Sequence, residues 1–410
     1  MNDQVIIVGG GVIGLSCAYF LAREGRRVVV LEREGPDGNN CSRGNAGMVV
    51  PSHFTPLAAP GVVTQGLKWL LNPESPFYVR PRLNLDLVRW GLAFIRHANK
   101  RHVVASVELL RDLQLASRDL FGELAGEFDF GLHKRGLLML CETSKLLEEE
   151  AELAARGQEL GLRVEVCDPD RLAELDPAAE MRVRGGIWYE QDCHLDPGRF
   201  LEGLKKGAAK RGAQFRYRCE AESIGDGTVV LNTGEELAGS HVVVAGGAWT
   251  PVLARSLKLR VPMQGGKGYS MTLPRPGVLP RLCSLLGEAR VAITPMGESL
   301  RVAGTMEICG NDLSVKERRV QGIVKAACRV FPGLVPGEFD GIKRWAGLRP
   351  CSPDGLPYLG PVPGRDRIIV ASGHAMLGLS MGPVTGKLVS ELVTGVRPMI
   401  PLDQLAVGRF

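Results

Sequence analysis

Three glycines, Gly9, Gly11 and Gly14, follow directly on the apolar run Val5-Ile6-Ile7-Val8, and an acid, Glu32, closes the next apolar run 18 residues beyond Gly14. Gly9 lets the chain turn sharply off a strand, Gly11 lets backbone approach a pyrophosphate, and Gly14 lets a helix pack close to the sheet. Unpaired N–H groups at the positive end of that helix attract the phosphates. A carboxylate at Glu32 can accept from both hydroxyls of an adenosine ribose and repels a 2′-phosphate. Gly9, Gly11, Val12, Ile13, Gly14, Glu32 and Arg33 are therefore the predicted dinucleotide contacts. A structural glycine turn without a cofactor is the competing reading.

Further groups of residues could do chemistry. Cys41-Ser42-Arg43-Gly44-Asn45-Ala46-Gly47-Met48 is dense in small residues, so its backbone can lie against a flat ligand, and Ser42, Arg43 and Asn45 supply hydrogen-bonding groups. Near the end of the chain, Gly373-His374 and Gly378-Leu379-Ser380 lead into a helix whose donors and positive field would stabilise an anionic, electron-rich ring. His374 is read there as packing or as a hydrogen bond to the ring, in preference to a base. Arg349, in Gly347-Leu348-Arg349-Pro350, carries a fork suited to a carboxylate, with a salt-bridged strand-end arginine as the alternative. Tyr269 and Tyr358 either close a pocket through their hydroxyls or simply pack. His53 faces either that pocket or the surface.

Elements must position these groups. Period and composition predict strands over 5–8, 28–31, 137–140, 185–189, 213–224, 229–232, 241–245, 289–294, 300–306 and 368–371. Gly246 ends one of them beside the cofactor. Helices are expected over 15–23, 63–71, 85–94, 106–124, from Ser144, from Asp196 to 212, over 316–331, and up to Thr394. The predicted fold is α/β, with a Rossmann-type domain from residues 1–56, 192–258 and 346–410. A second α+β domain on a mixed or antiparallel sheet takes 57–191 and 259–345.

The 410 residues are 45% hydrophobic and 23% charged, ordinary for a globular protein. The net charge of +5 is spread among acids, which favours a mixed solvated surface over a nucleic-acid groove and is compatible with a peripheral contact on an anionic membrane face. None of the ten cysteines forms a Cys-x-x-Cys pair, which suggests buried thiols, no metal and a reducing, cytoplasmic setting. The first strand begins at residue 5, which is read as leaving no room for a cleavable signal sequence, and no run reaches the ~18 apolar residues of a membrane span.

Together the Rossmann unit, Ser42-Arg43-Gly44-Asn45-Ala46-Gly47, Gly347-Leu348-Arg349-Pro350 with Asp354-Gly355-Leu356-Pro357-Tyr358-Leu359-Gly360, and the final Gly-His-x-x-x-Gly segment resemble the FAD-dependent D-amino-acid oxidase superfamily. The proline-rich stretch from Pro56 to Pro81, with Lys68-Trp69, is similar to its bacterial D-amino-acid dehydrogenase branch. The resemblance implies a glutathione-reductase-like architecture, with FAD lined by Ser42, Arg43 and Ala46 to Met48, and Gly373, Gly378, Leu379 and Ser380 at the pyrimidine edge. It implies that Arg349 holds a substrate carboxylate while a hydride leaves Cα for flavin N5, giving an imino acid. The implied substrate is a D-amino acid, cyclic ones such as D-proline or hydroxy-D-proline included. Electrons pass to a quinone or other carrier, from a cytoplasmic enzyme that could sit peripherally on the inner membrane face and assemble as a homo-oligomer. A glycine- or sarcosine-type oxidase using oxygen, a flavin-bearing electron-transfer subunit and an NAD-binding sensor are the alternatives.

Overall fold

The computed structural model describes residues 3–410 apart from 39, 63, 65 and 67–74. The helix expected over 63–71, with Lys68 and Trp69, falls mostly outside the described residues.

Val5–Val8 is the third strand from one edge of a six-stranded sheet, ordered Tyr358–Val362, Arg365–Ser372, His241–Val244, Val5–Val8, Val28–Glu32, Gln214–Tyr217. The neighbours run parallel except the antiparallel Tyr358–Val362. Both faces are covered, which is why the central strands read as unbroken apolar runs without alternation. On one face pack the helices Val12–Arg23, Pro197–Lys210 and Gly382–Thr394. Their close approach needs small residues: a Cβ at Gly386 would lie 2.5 Å from the Ser16 carbonyl carbon. On the other face sits an antiparallel three-stranded sheet, Ala221–Ile224, Thr228–Leu231 and Glu236–Ala238. The expected strand over 213–224 is thus two strands in two different sheets.

The second sheet has nine strands. Its main path runs Trp345–Cys351, Gln264–Leu273, Ser299–Ile308, Val291–Met296, Cys283–Leu286, Leu137–Cys141, Gly185–Tyr189, Val164–Cys167, and Phe77–Val79 pairs beside Ser299–Ile308. It is mixed, with parallel pairs at Leu137–Cys141 and at Phe77–Val79. The helix Glu317–Val330 covers its outer face, where Val320, Ile323 and Val324 bury Tyr269, Met271 and Val302.

Two segments group differently from the sequence expectation. The helix Lys100–Ala125, placed with residues 57–191, lays Leu110, Leu113, Phe121 and Leu124 into the core of the six-stranded sheet with Leu15 and Leu388. It also begins earlier than expected, because Asn99 caps it by accepting from His102 N at 3.0 Å. Residues 345–351, placed largely with 346–410, form an edge strand of the nine-stranded sheet. Asp196 caps the helix Pro197–Lys210 as its sequence implies, accepting from Gly198 N at 2.7 Å.

Candidate active site

A cavity of about 1160 Å³ runs from the tip of Val28–Glu32 between the two sheets to Arg349. It exceeds the ~300–1,000 Å³ of sites for drug-sized ligands, as an extended dinucleotide with a substrate beyond it requires.

At its first end the glycine loop behaves as its spacing demands. Gly9 has φ +112°, and a Cβ there would lie 2.4 Å from Ala245 O. A Cβ at Gly14 would lie 1.9 Å from Gly9 O. Gly14 therefore acts through packing, while Gly9, Gly11, Val12 and Ile13 border the cavity. Glu32 is held at the strand tip by Gly10 N at 2.7 Å and Glu34 N at 2.9 Å. The Arg33 guanidinium stacks 3.9 Å over the Trp249 ring, and both line the cavity beside Gly246. The sequence signal available for Trp249 was its place just after Gly246 at a strand end.

In the middle, Ser42, Asn45, Ala46 and Met48 face Gly378, Leu379 and His374 across the cavity. Ser42 Oγ accepts from Val12 N at 2.9 Å, beside the start of the first helix. Asn45 Oδ1 accepts from Gly47 N at 2.8 Å and shapes the turn that Gly47, at φ +82°, completes. Four expectations need correction. The Arg43 side chain borders a separate recess with Glu202, Lys205 and Tyr217, while its carbonyl accepts from Arg301 at 3.1 Å. Ser380 Oγ accepts from Val50 N at 2.9 Å and donates to Gln114, so it is not free for a ligand. Gly47 and Gly373 do not border the cavity; at Gly373, φ +84°, a Cβ would meet the Tyr358 ring at 2.9 Å. The C-terminal helix starts at Gly382, at the end of the glycine segment that begins at Gly373, as expected; a short turn Ala375–Leu377 precedes it and its first residue packs on Val12.

Burial pushes His374 down to about 3, so it is neutral; its Nε2 pairs with Thr385 Oγ1 at 2.9 Å, and Nδ1 has no partner among the described residues. Trp345 Nε1 is likewise buried and unpartnered on the same cavity. Buried donors and acceptors of this kind ordinarily have partners, so a polar ligand edge is what this cavity fits. The dinucleotide loop, the fixed Glu32 and these polar atoms together accommodate FAD.

At the far end, alternation along Trp345–Cys351 puts Trp345, Gly347 and Arg349 on the cavity face. Arg349 Nη1 donates to Thr305 O at 2.6 Å, and no other hydrogen bond ties its guanidinium to the described residues. The Arg349 side chain is half-buried and lines the cavity. Burial lowers its affinity for its proton, and no carboxylate among the described residues pairs with it. The neighbouring thiols Cys41 and Cys351 are pushed up by burial to about 11 and about 12, hence neutral. The positive charge of Arg349 is uncompensated.

His53 lines the cavity, with Nδ1 3.0 Å from Ser52 Oγ, which in turn donates to the buried Asp192. Burial and the Arg290 charge push His53 down to about 4, and burial raises Asp192 to about 7. The Ser52–Asp192 pair had no local sequence signal, because its members lie 140 residues apart. The two tyrosines are corrections. Tyr269 is on the outer face of the sheet and donates to Glu307 at 2.6 Å. Tyr358 donates to Pro262 O at 2.7 Å beneath the Arg409 guanidinium, away from the cavity. Neither hydroxyl closes the pocket.

A Rossmann-type unit opening onto a sheet-walled pocket with an unpaired cation on its wall fits a dinucleotide-dependent oxidoreductase. The chain belongs to the FAD dependent oxidoreductase family (DAO), whose profile matches residues 4–392, and its cofactor is FAD. It is 34% identical over 427 residues to a D-amino acid dehydrogenase of Xanthobacter autotrophicus, with 99% of each chain covered. It is 34% identical over 431 residues to one of Methylobacterium nodulans, with the same coverage. Among solved structures it is similar to glycine oxidase from Geobacillus kaustophilus (TM-score 0.79, 24% identity, 100% and 99% covered) and to L-proline dehydrogenase from P. horikoshii (TM-score 0.71, 17% identity, 100% and 98% covered). At these identities the solved structures establish the fold.

Proposed function

We propose that the protein is an FAD-dependent D-amino-acid dehydrogenase in which Arg349 holds the substrate carboxylate. The carrying observation is a half-buried guanidinium on the cavity wall with one hydrogen bond to protein and no carboxylate partner among the described residues. Leaving such a charge uncompensated is costly, and a carboxylate ligand supplies the missing partner through a bidentate pair at the Nε–Nη2 edge. The curated relatives named for D-amino acids support the substrate class.

FAD, when bound, takes up the hydride that leaves Cα and passes its electrons to an acceptor. The chain's residues do the rest. Glu32 and the Gly9–Gly14 loop hold the adenosine and pyrophosphate. Arg349 fixes the carboxylate and with it the direction of Cα, so orientation supplies much of the rate. His53 and His374 are neutral at ordinary pH and add no cation to repel the amino group. The substrate loses a hydride from carbon and a proton from nitrogen, giving an imino acid that water can hydrolyse. Because the amine must be unprotonated, activity rises with pH through its ionisation.

The apolar lining at Trp345, Met306 and Ala303 supports a cyclic substrate such as D-proline. Peripheral contact with an anionic membrane, and a quinone-type acceptor, are supported by the exposed Leu85, Val88, Leu92 and Ile95 near Arg89 and Arg96, on a helix whose other face borders the cavity through Leu87, Trp90 and Phe94. No helix among the described residues is long and apolar enough to cross a membrane. The test is a panel of D-, L- and N-methyl amino acids assayed in parallel with an artificial acceptor and with oxygen. Turnover of D-amino acids with the artificial acceptor is expected; turnover of L-enantiomers alone overturns the reading.

A further inference from the structure

The strand Ser299–Ile308 carries a bulge directly beneath the Arg349 guanidinium. Lys267 pairs with Glu307 and Tyr269 with Gly304, so Thr305 and Met306 together oppose the single residue Gly268. Thr305 sits at φ +67°, a conformation a β-branched residue adopts only under constraint from its surroundings. Its carbonyl receives Arg349 Nη1.

The constraint is visible on the outer face of the sheet. Glu307, two residues on, is fully buried. Its Oε1 accepts from Tyr269 Oη at 2.6 Å and lies 3.2 Å from Arg319 Nε, and the Lys316 and Lys267 ammonium groups lie 3.6 and 3.9 Å from Oε2. Lys267 in turn donates to Ser314 O at 2.7 Å, and Arg319 to Ser75 O at 2.9 Å. These bonds pin one side of the bulge to the neighbouring strand, to the helix Glu317–Val330 and to residue 75. None of these side chains is used in binding FAD or substrate.

We infer that Glu307 is a positioning residue, which holds the Thr305 bulge so that its carbonyl aims the Arg349 guanidinium at the substrate carboxylate. This rests on the reading of Arg349 as the carboxylate site. A loosened bulge lets the guanidinium swing, so the loss falls on carboxylate affinity and on the orientation of Cα, while flavin content is spared.

Two variants separate this role from plain stability. Thr305→Gly keeps the carbonyl and relieves the backbone, so the protein should melt no lower than wild type. Glu307→Gln removes the charge that gathers the three cations. Propionate and its uncharged analogue propionamide are titrated into each flavin-loaded protein by calorimetry, alongside KM and kcat for a D-amino acid. Both variants should weaken propionate about tenfold with a parallel rise in KM, and leave propionamide affinity and flavin content unchanged. Unchanged propionate affinity in either variant overturns the inference, as does a loss matched by falling flavin content. If Glu307→Gln does not fold, Thr305→Gly decides alone. Arg349→Lys is the control: if propionate affinity is unaffected there, the carboxylate reading itself fails, whereas a loss there without one in Thr305→Gly refutes only the positioning role.

Discussion

Arg349 reaches the carbonyl of Thr305 across an intervening strand, and it can do so because the residue beneath it is Gly268. A Cβ at Gly268 would come within 2.4 Å of the guanidinium. Gly268→Ala should therefore displace Arg349 with the flavin still bound. KM for the amino acid is expected to rise at least about tenfold, the loss of one charged hydrogen bond, with flavin content unchanged. Steady-state kinetics on the flavin-loaded variant checks this.

Glu32 is already tied to two backbone N–H groups, so its carboxylate is fixed before the ribose arrives. Glu32→Ala should weaken FAD by at least about tenfold, the cost of a lost hydrogen bond to a charged group. Fluorescence of flavin released on dilution would measure it. Retention of FAD as tight as in the wild type would remove Glu32 from the ribose site.

Three histidines, His194 and His374 buried and His53 half-buried on the cavity, set a pH limit on stability. Burial pushes His53 down to about 4, and His194 and His374 to about 3, from an ordinary 6.5. Below about pH 6.5 the unfolded chain takes up protons that the folded one refuses. Their stabilisation is thus complete above 6.5 and lost as pH falls toward 4, each contributing a slope of up to about 1.4 kcal/mol per pH unit. Asp192, raised to about 7 by burial, acts oppositely: its contribution is present at low pH and lost as pH rises through 7. Three against one, melting temperature should fall on acidification below 6.5, and Asp192→Asn should steepen that fall. A melting series across this range reads both.

Tyr358 gives the contrasting case of a motif residue without a catalytic duty. Its hydroxyl satisfies Pro262 O, and removing it strands a part-buried carbonyl. Tyr358→Phe should cost about 1–3 kcal/mol in chemical denaturation and leave kcat and KM unchanged. A selective kinetic defect would return the hydroxyl to the pocket.

How much of this was legible in the sequence depends on how local the cause is. The Gly9–Gly14 loop and Glu32 could be read because strand, turn and helix each leave their own short-range pattern. Arg349 was legible through its fork and its motif, but its partner was not: Thr305 O is brought beneath it by a bulge that exists only once two strands pair. Tyr269 was misplaced because nearly the whole of Gln264–Leu273 is buried on both faces, which erases the alternation that tells inside from outside. Ser380 is spent on Val50, 330 residues away, a contact without local signal. The helix Lys100–Ala125 showed an apolar stripe, and a stripe states that a helix face is buried without stating which sheet buries it.

Binding of the substrate carboxylate by the Arg349 guanidinium is read out by anaerobic titration of the flavin-loaded wild type and of Arg349→Lys with a D-amino acid, followed by bleaching of the flavin absorbance. Lysine keeps the charge and loses the fork, so both proteins should bleach fully, with half-saturation at least about tenfold higher in the variant. Superimposable titration curves would remove Arg349 from the carboxylate site.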